Sequence, residues 1–337
     1  MIATAEYIKT KTTTPDWRWN ARHFRAMNTD VHAILFSQSD EAVLSDVERL
    51  FASFERRLSR FLPDSELSQL NRATSFKASP TLFNAVEVAL WAAEMTGGLY
   101  DPTLLAQLEQ AGYNRTFEQV EHPLPLSPAD INPAATATKN GHSAGYNFHS
   151  VRLDRARQQI HKPHDVKLDL GGMGKGWAVD RTADRLLGLG PFMINAGGDI
   201  FVYQSPPGEK GWMIDVVHPF RPGHFIAQLQ LNHQALATST IARRRWHHNG
   251  QVMHHLIDPR TGVPAQTDAV SVTVVASRTT LAEVYAKVAL ILGVDEGINY
   301  LQQLSGVEGL IYTAGGEIVF TGNLTPLISR LSPEGYQ

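Results

Sequence analysis

From residue 151 onward, turns interrupt the chain every few residues, and most of the segments between them have the character of short strands. Val151 to Leu153, Gln159 to His161, Val166 to Leu170, Trp212 to Val217, Phe225 to Leu231, Ala235 to Ser239 and Val252 to Ile257 are of this kind. Ala269 to Ala276 (AVSVTVVA) is the clearest, a β-branched run with no polar interruption longer than one residue. Parallel pairing needs a crossover of a dozen or more residues between strands, and most of these segments are too close together for one. The pattern therefore demands an α+β fold: a largely antiparallel sheet core with flanking helices.

The helices are fewer and can be placed. Val43, Val47, Leu50, Phe51, Phe54, Leu58 and Phe61 recur at helical spacing and stop before Pro63. Ser65 and Ser68 mark a further short helical turn. Pro80 opens a helix that closes at Gly97-Gly98. Two more helices are expected, from about Lys175 to Leu187 and from Thr280 to Leu292, the second closed by Gly293. Phe24 to Phe36 reads as one strand, and Phe192 to Val202 as a strand broken by Gly197-Gly198. Two late strands fall around Leu310 and Ile318. Residues 1–22 read as a flexible arm, and 23–330 as one domain with an irregular insertion near 116–150, where Pro, Ala, Ser, Thr and Asn dominate.

Leu168 to Asp180 (LDLGGMGKGWAVD) carries the first chemical signal. Its glycines at 171, 172, 174 and 176 allow close backbone approach just where a helix begins. The N-H groups and positive dipole end of that helix suit an anion such as a diphosphate, with Lys175 adding a point charge. Neither the P-loop spacing nor G-x-G-x-x-G is present, so the turn alone does not identify the ligand.

Composition removes several function classes. A formal net charge of -3, with no basic run interleaved with aromatics, argues against a nucleic-acid partner, and Arg243-Arg244-Arg245 reads as a solvated edge that could also meet a phosphate. The absence of cysteine excludes disulfides, thiolate metal sites and a cysteine nucleophile. No apolar run reaches the ~18 residues of a membrane span, so the expectation is a cytoplasmic protein without a membrane partner. His247-His248 and His254-His255 do not form a zinc motif, because adjacent strand residues point to opposite faces.

Several short motifs stand in order along the chain: Met27-Asn28-Thr29, Asp64 to Ser68 with Asn71, Thr96 to Thr103 (TGGLYDPT), Asp169 to Gly172 with Lys175 and Asp180, Asn195 to Asp199 (NAGGD), Ala237-Thr238-Ser239, His255 to Gly262 (HLIDPRTG) and Ser271 to Val274 (SVTV). As an ordered set they resemble the ApbE family of FAD:protein FMN transferases. The resemblance implies an ApbE-like (T-fold-like) architecture, bound FAD, a Mg2+ beside its diphosphate, and transfer of FMN to a Thr or Ser of an acceptor protein with release of AMP. By position it assigns flavin-nucleotide contacts to Met27, Phe61, Leu99, Tyr100, Asp101, Asp169 and Lys175, and a metal-binding carbonyl to Gly172. It places a histidine implicated in the chemistry at His255. Loss of the acceptor proton needs a base, and His255 or Asp258 is suited to the role.

One departure from the family pattern stands out. Where the family carries Asp and Thr as metal ligands one helical turn apart, this chain has Glu283 and Lys287. An ammonium cannot ligate a cation, and Mg2+ tolerates little change in ligand geometry. The pair is spaced for an ion pair along the helix face. Three outcomes stay open: a transferase, with the metal at Gly172 and Glu283 or with Lys287 in its place; an FAD-binding protein that has lost the metal and the transferase step; and an FAD pyrophosphatase.

Overall fold

The computed structural model describes residues 17–39, 41–119 and 147–332. Its centre is an eight-stranded antiparallel sheet in the order β1 (Arg18–Ala26), β2 (Thr29–Ser37), β6 (Phe192–Ala196), β7 (Asp199–Tyr203), β10 (Gln234–Thr240), β15 (Ala269–Ala276), β16 (Glu308–Thr313), β17 (Ile318–Phe320). Between them along the chain lie β3 (Ser75–Lys77), β4 (Arg152–Asp154), β5 (Gln159–His161), β8 (Trp212–Val217), β9 (Phe225–Leu231), β11 (Arg245–His248), β12 (Gln251–His254), β13 (Ile257–Asp258) and β14 (Val263–Pro264), and β18 (Ile328–Leu331) follows. The α+β class expected from the turn-rich pattern is what forms.

Both faces of the central sheet are covered, which is why β6, β7 and β15 are hydrophobic at most positions. Val31, Ala33 and Leu35 of β2 and Phe192 and Ile194 of β6 pack under helices α1 (Ala42–Leu58), α3 (Pro80–Met95) and α5 (Gly174–Leu186). Ile34 and Met193, alternating with them, face β8 and β9 of a three-stranded sheet closed by β18. Every residue of β15 is buried. Its Val272 and Val274 meet α6 (Thr279–Leu292), while Val275 turns to the smaller sheet. Helices α2 (Glu66–Arg72), α4 (Leu105–Gln110) and α7 (Val294–Gln302) complete the set.

Four strand expectations change. Phe192 to Val202 is a hairpin rather than a broken strand, because Gly197 and Gly198, at φ 65° and 100°, turn β6 back on β7. Phe24 to Phe36 is a hairpin rather than one strand: Met27 and Asn28, at φ 52° and 58°, make a two-residue turn in the left-handed region without a glycine. Val166 to Leu170 is not a strand. Asn71 takes the place of a neighbouring strand: its Nδ2 donates to the Leu168 carbonyl at 2.8 Å and its Oδ1 accepts from Leu168 N at 2.7 Å. Val252 to Ile257 breaks between β12 and β13, where His254 Nδ1 accepts from Leu256 N at 3.3 Å and curls the backbone. Residues 18–22, expected as part of the arm, belong to β1. Residues 1–16, and 120–146 of the 116–150 insertion, lie outside the described residues. Among the described residues no helix is long and apolar enough to cross a membrane.

Helices α5 and α6 cross closely, and that crossing positions the site. A Cβ on Gly176 would lie 2.7 Å from the Thr279 carbonyl oxygen, so only glycine lets the two helices meet there. Asp180 of α5 caps α6, accepting from Thr279 N at 2.8 Å, Thr280 N at 3.0 Å and Thr280 Oγ1 at 2.6 Å.

Candidate active site

The glycine turn before α5 forms one wall of a cavity of about 660 Å³, within the range of small-molecule sites. Asp169 N is held by the Pro102 carbonyl at 2.7 Å, which ties this turn to the Leu99 to Thr103 segment opposite. Met27, Phe61, Leu99, Tyr100 and Asp101 all line the cavity, as do Asp169, Gly172, Lys175, His255 and Lys287. Ten residues singled out from the sequence thus converge from the β1–β2 turn, the end of α1, two loops, α5, the β12–β13 break and α6.

Charges beneath the turn are arranged as a quartet. Lys175 ion-pairs with Asp199 and, at 2.8 Å, with Glu283 Oε1. Glu283 Oε2 accepts from Gly176 N at 2.8 Å, and Lys287 Nζ donates to the Gly172 carbonyl at 2.8 Å. Glu283 therefore does not line the cavity, and the ion pair expected along α6 is replaced by two separate partnerships. Burial opposes the Lys175 charge, but Asp199 and Glu283 outweigh it and hold the ammonium above its ordinary value. Burial, then the Glu283 charge, pushes Asp199 up to about 7. Burial lowers Lys287 from its ordinary value, against the pull of Glu283. The turn cannot carry a side chain at 172: a Cβ there would meet Lys287 Nζ at 2.7 Å and Tyr100 Cε2 at 2.9 Å.

Polar groups at the cavity wall are left for a ligand. Burial, with the Asp169 charge, holds Tyr100 well above its ordinary value, so the phenol keeps its proton; its buried hydroxyl has no hydrogen-bond partner among the described residues. His255 Nδ1 is likewise buried and unpartnered. Burial, reinforced by the Arg244 and Lys287 charges, keeps this imidazole well below its ordinary value and hence neutral at neutral pH. Asp258, the alternative base, does not line the cavity. Its buried carboxylate is clamped by Arg260, which donates from Nη2 at 2.8 Å and from its backbone N at 2.9 Å.

A family model described as the ApbE family matches residues 27–311. The chain belongs to the ApbE family. A curated relative from Treponema pallidum, an FAD:protein FMN transferase, is 29% identical over 290 residues, spanning 80% of this chain and 76% of that protein. Another FAD:protein FMN transferase, from Klebsiella pneumoniae, is 26% identical and covers 88% of this chain and 90% of its own length. Among solved structures, an ApbE protein of Thermotoga maritima superposes with a TM-score of 0.78 at 24% identity, over 93% of this chain and 100% of that one. The flavin transferase ApbE of Vibrio cholerae follows the same fold at a TM-score of 0.72 and 20% identity, over 92% of this chain and 99% of that one.

The Mg2+ that the ApbE resemblance sets at Gly172 and Glu283 does not fit the residues present here. The Gly172 carbonyl already holds an ammonium, and Glu283 is turned away from the cavity, accepting from Lys175 and Gly176 N. Among the described residues no group of three or more His, Asp or Glu side chains can hold a metal ion.

Sequence reasoning missed Arg60, which no spacing marks. In this ApbE chain it is buried against Asp169 at 3.0 Å, lies over the Phe61 ring at 4.1 Å and the Tyr113 ring at 4.7 Å, and lines the cavity. Its Nη2 has no hydrogen-bond partner among the described residues. The only hint in sequence was its position beside Phe61.

Proposed function

We propose that this chain is an FAD:protein FMN transferase, moving the FMN half of FAD to a Thr or Ser hydroxyl of an acceptor protein and releasing AMP. The observation that carries the reading is the meeting, in one cavity, of a bare glycine turn, a neutral histidine with an open ring nitrogen, and unpartnered Tyr100 and Arg60 donors. FAD lies with its diphosphate along Gly171-Gly172 beside Lys287, and with its flavin nucleotide against Met27, Phe61, Leu99, Tyr100, Asp101 and Asp169. Lys175 acts from beneath, as the anchor of Asp199 and Glu283 rather than as a free phosphate ligand.

In the transfer the acceptor oxygen bonds to the FMN phosphorus while the phosphorus–oxygen bond to AMP breaks. The acceptor proton passes to His255 Nδ1 in the tautomer protonated at Nε2. Positioning and charge neutralisation supply most of the rate in such displacements. Incubating the purified chain with FAD and a threonine-containing acceptor peptide tests the proposal by mass spectrometry. A peptide carrying the FMN increment, with AMP in solution, supports it. FMN and AMP without an adduct would make the chain an FAD pyrophosphatase, and bound FAD with neither product would make it a flavin-binding protein. That last reading is favoured by one observation, the lone ammonium standing at Gly172. A cytoplasmic setting belongs to the proposal too and is checked by cell fractionation.

A further inference from the structure

Resting on the FAD reading above, we infer that Lys287 is a tethered cation that serves the diphosphate in place of a divalent ion, so that this chain takes its flavin nucleotide without metal. Three observations carry this. The Lys287 ammonium donates to the Gly172 carbonyl at 2.8 Å and lines the cavity, so it occupies the spot where a cation would bridge the turn and the phosphates. Glu283, one helical turn before it, accepts from Lys175 on one oxygen and from Gly176 N on the other, and does not line the cavity. The two ammonium groups, Lys175 and Lys287, already stand against the two carboxylates, Asp199 and Glu283, one for one.

A Mg2+ entering here would press against an ammonium that already stands a hydrogen bond away from its carbonyl ligand. It would also need about six oxygens in near-octahedral array, which the committed carboxylate does not supply. The ammonium needs none of these. It is a compact cation with three donors, one on the Gly172 carbonyl and two left for phosphate oxygens. The departure from the family's metal ligands at 283 and 287 is thus a compensated exchange: the longer Glu283 reaches back to α5, and Lys287 provides the positive charge at the cavity.

Titrating FAD into the full-length chain, with Mg2+ and then with EDTA in excess, tests the inference by calorimetry or by flavin fluorescence. The Kd is expected to change by less than about twofold between the two conditions. Lys287→Thr should weaken FAD binding in EDTA by about tenfold to a hundredfold, the span of a charge-assisted hydrogen bond to a phosphate. Lys287→Met keeps the apolar stem without the charge and should show the same loss, with thermal melting confirming that both variants are folded. The double variant Glu283→Asp with Lys287→Thr should bind FAD more tightly with Mg2+ than with EDTA, a dependence the parent lacks. Manganese paramagnetic resonance gives a readout independent of flavin and should show no protein-bound ion in the parent. FAD binding by the parent that collapses on chelation, or a bound manganese ion, overturns the inference while leaving the FAD reading intact. No FAD binding under either condition overturns both.

Discussion

Replacing Asp180 with alanine should be among the most damaging single changes outside the cavity. The carboxylate is buried and accepts three hydrogen bonds from the first residues of α6, at 2.8, 3.0 and 2.6 Å. Thr279 and Thr280 are themselves buried, so Asp180→Ala leaves two backbone N-H groups without water or partner. At about 1 to 2 kcal/mol for each orphaned donor, with about 1 kcal/mol for the hydroxyl, the loss comes to about 3 to 5 kcal/mol. A chain of this size loses about 2 °C of Tm per kcal/mol, so the melting point should fall by about 6 to 10 °C. Asp180→Asn retains one acceptor oxygen and should fall between the parent and the alanine variant. Urea unfolding followed by circular dichroism measures the free energy, and a thermal scan measures Tm. Because α6 carries both Glu283 and Lys287, FAD affinity should drop along with stability. An Asp180→Ala protein melting within about 2 °C of the parent would refute the view that this cap fixes α6.

Four other outcomes follow from the same geometry. His254 is buried and held down to about 4 by burial, against an ordinary 6.5, so the folded state binds fewer protons than the unfolded one between those values. Its contribution of about 3 kcal/mol is complete above pH 6.5 and is lost as pH falls through 4; urea midpoints for His254→Gln should depend less on pH across that window. Asn71→Ala should cost about 2 to 5 kcal/mol by stranding both backbone groups of Leu168, seen as faster amide hydrogen exchange there. Gly176→Ala pushes a methyl into the Thr279 backbone and should cost about 1 to 3 kcal/mol by chemical denaturation, with weakened FAD binding as the helices part. His255→Asn should lower transferase kcat by about a hundredfold or more while changing the FAD Kd little, separating proton transfer from binding.

Where local pattern and tertiary demand agree, the chain was readable from residue types alone. Trp212–Val217, Phe225–Leu231 and Ala269–Ala276 form strands at the boundaries their β-branched and aromatic runs announce. Pro80 opens its helix as expected, with Ser79 accepting from Leu82 N at 3.3 Å as the cap. The misses share a physical cause: a partner distant in sequence took over a local role. At Val166 to Leu170 the backbone looked ready for a sheet, but a side chain 97 residues away from Leu168 supplied the hydrogen bonds. The Met27-Asn28 turn lacked the glycine that normally signals such a hairpin. In the cavity, the residue types were legible but their directions were not. Lys175 looked like a phosphate ligand because nothing in its neighbourhood shows that Asp199 and Glu283, 24 and 108 residues on, will claim it. Asp258 looked like a base because its neighbour Arg260 could as well have pointed outward.

The balanced quartet constrains how this protein can change over generations. Neutralising Glu283 alone leaves Lys175 with Asp199 as its one carboxylate partner, and losing Lys287 alone removes the positive charge at the Gly172 carbonyl. Either single step breaks a partnership within a buried cluster of charges. Positions 283 and 287 should therefore be inherited as a unit, and the route between ammonium and metal forms is a two-codon step rather than a gradual drift.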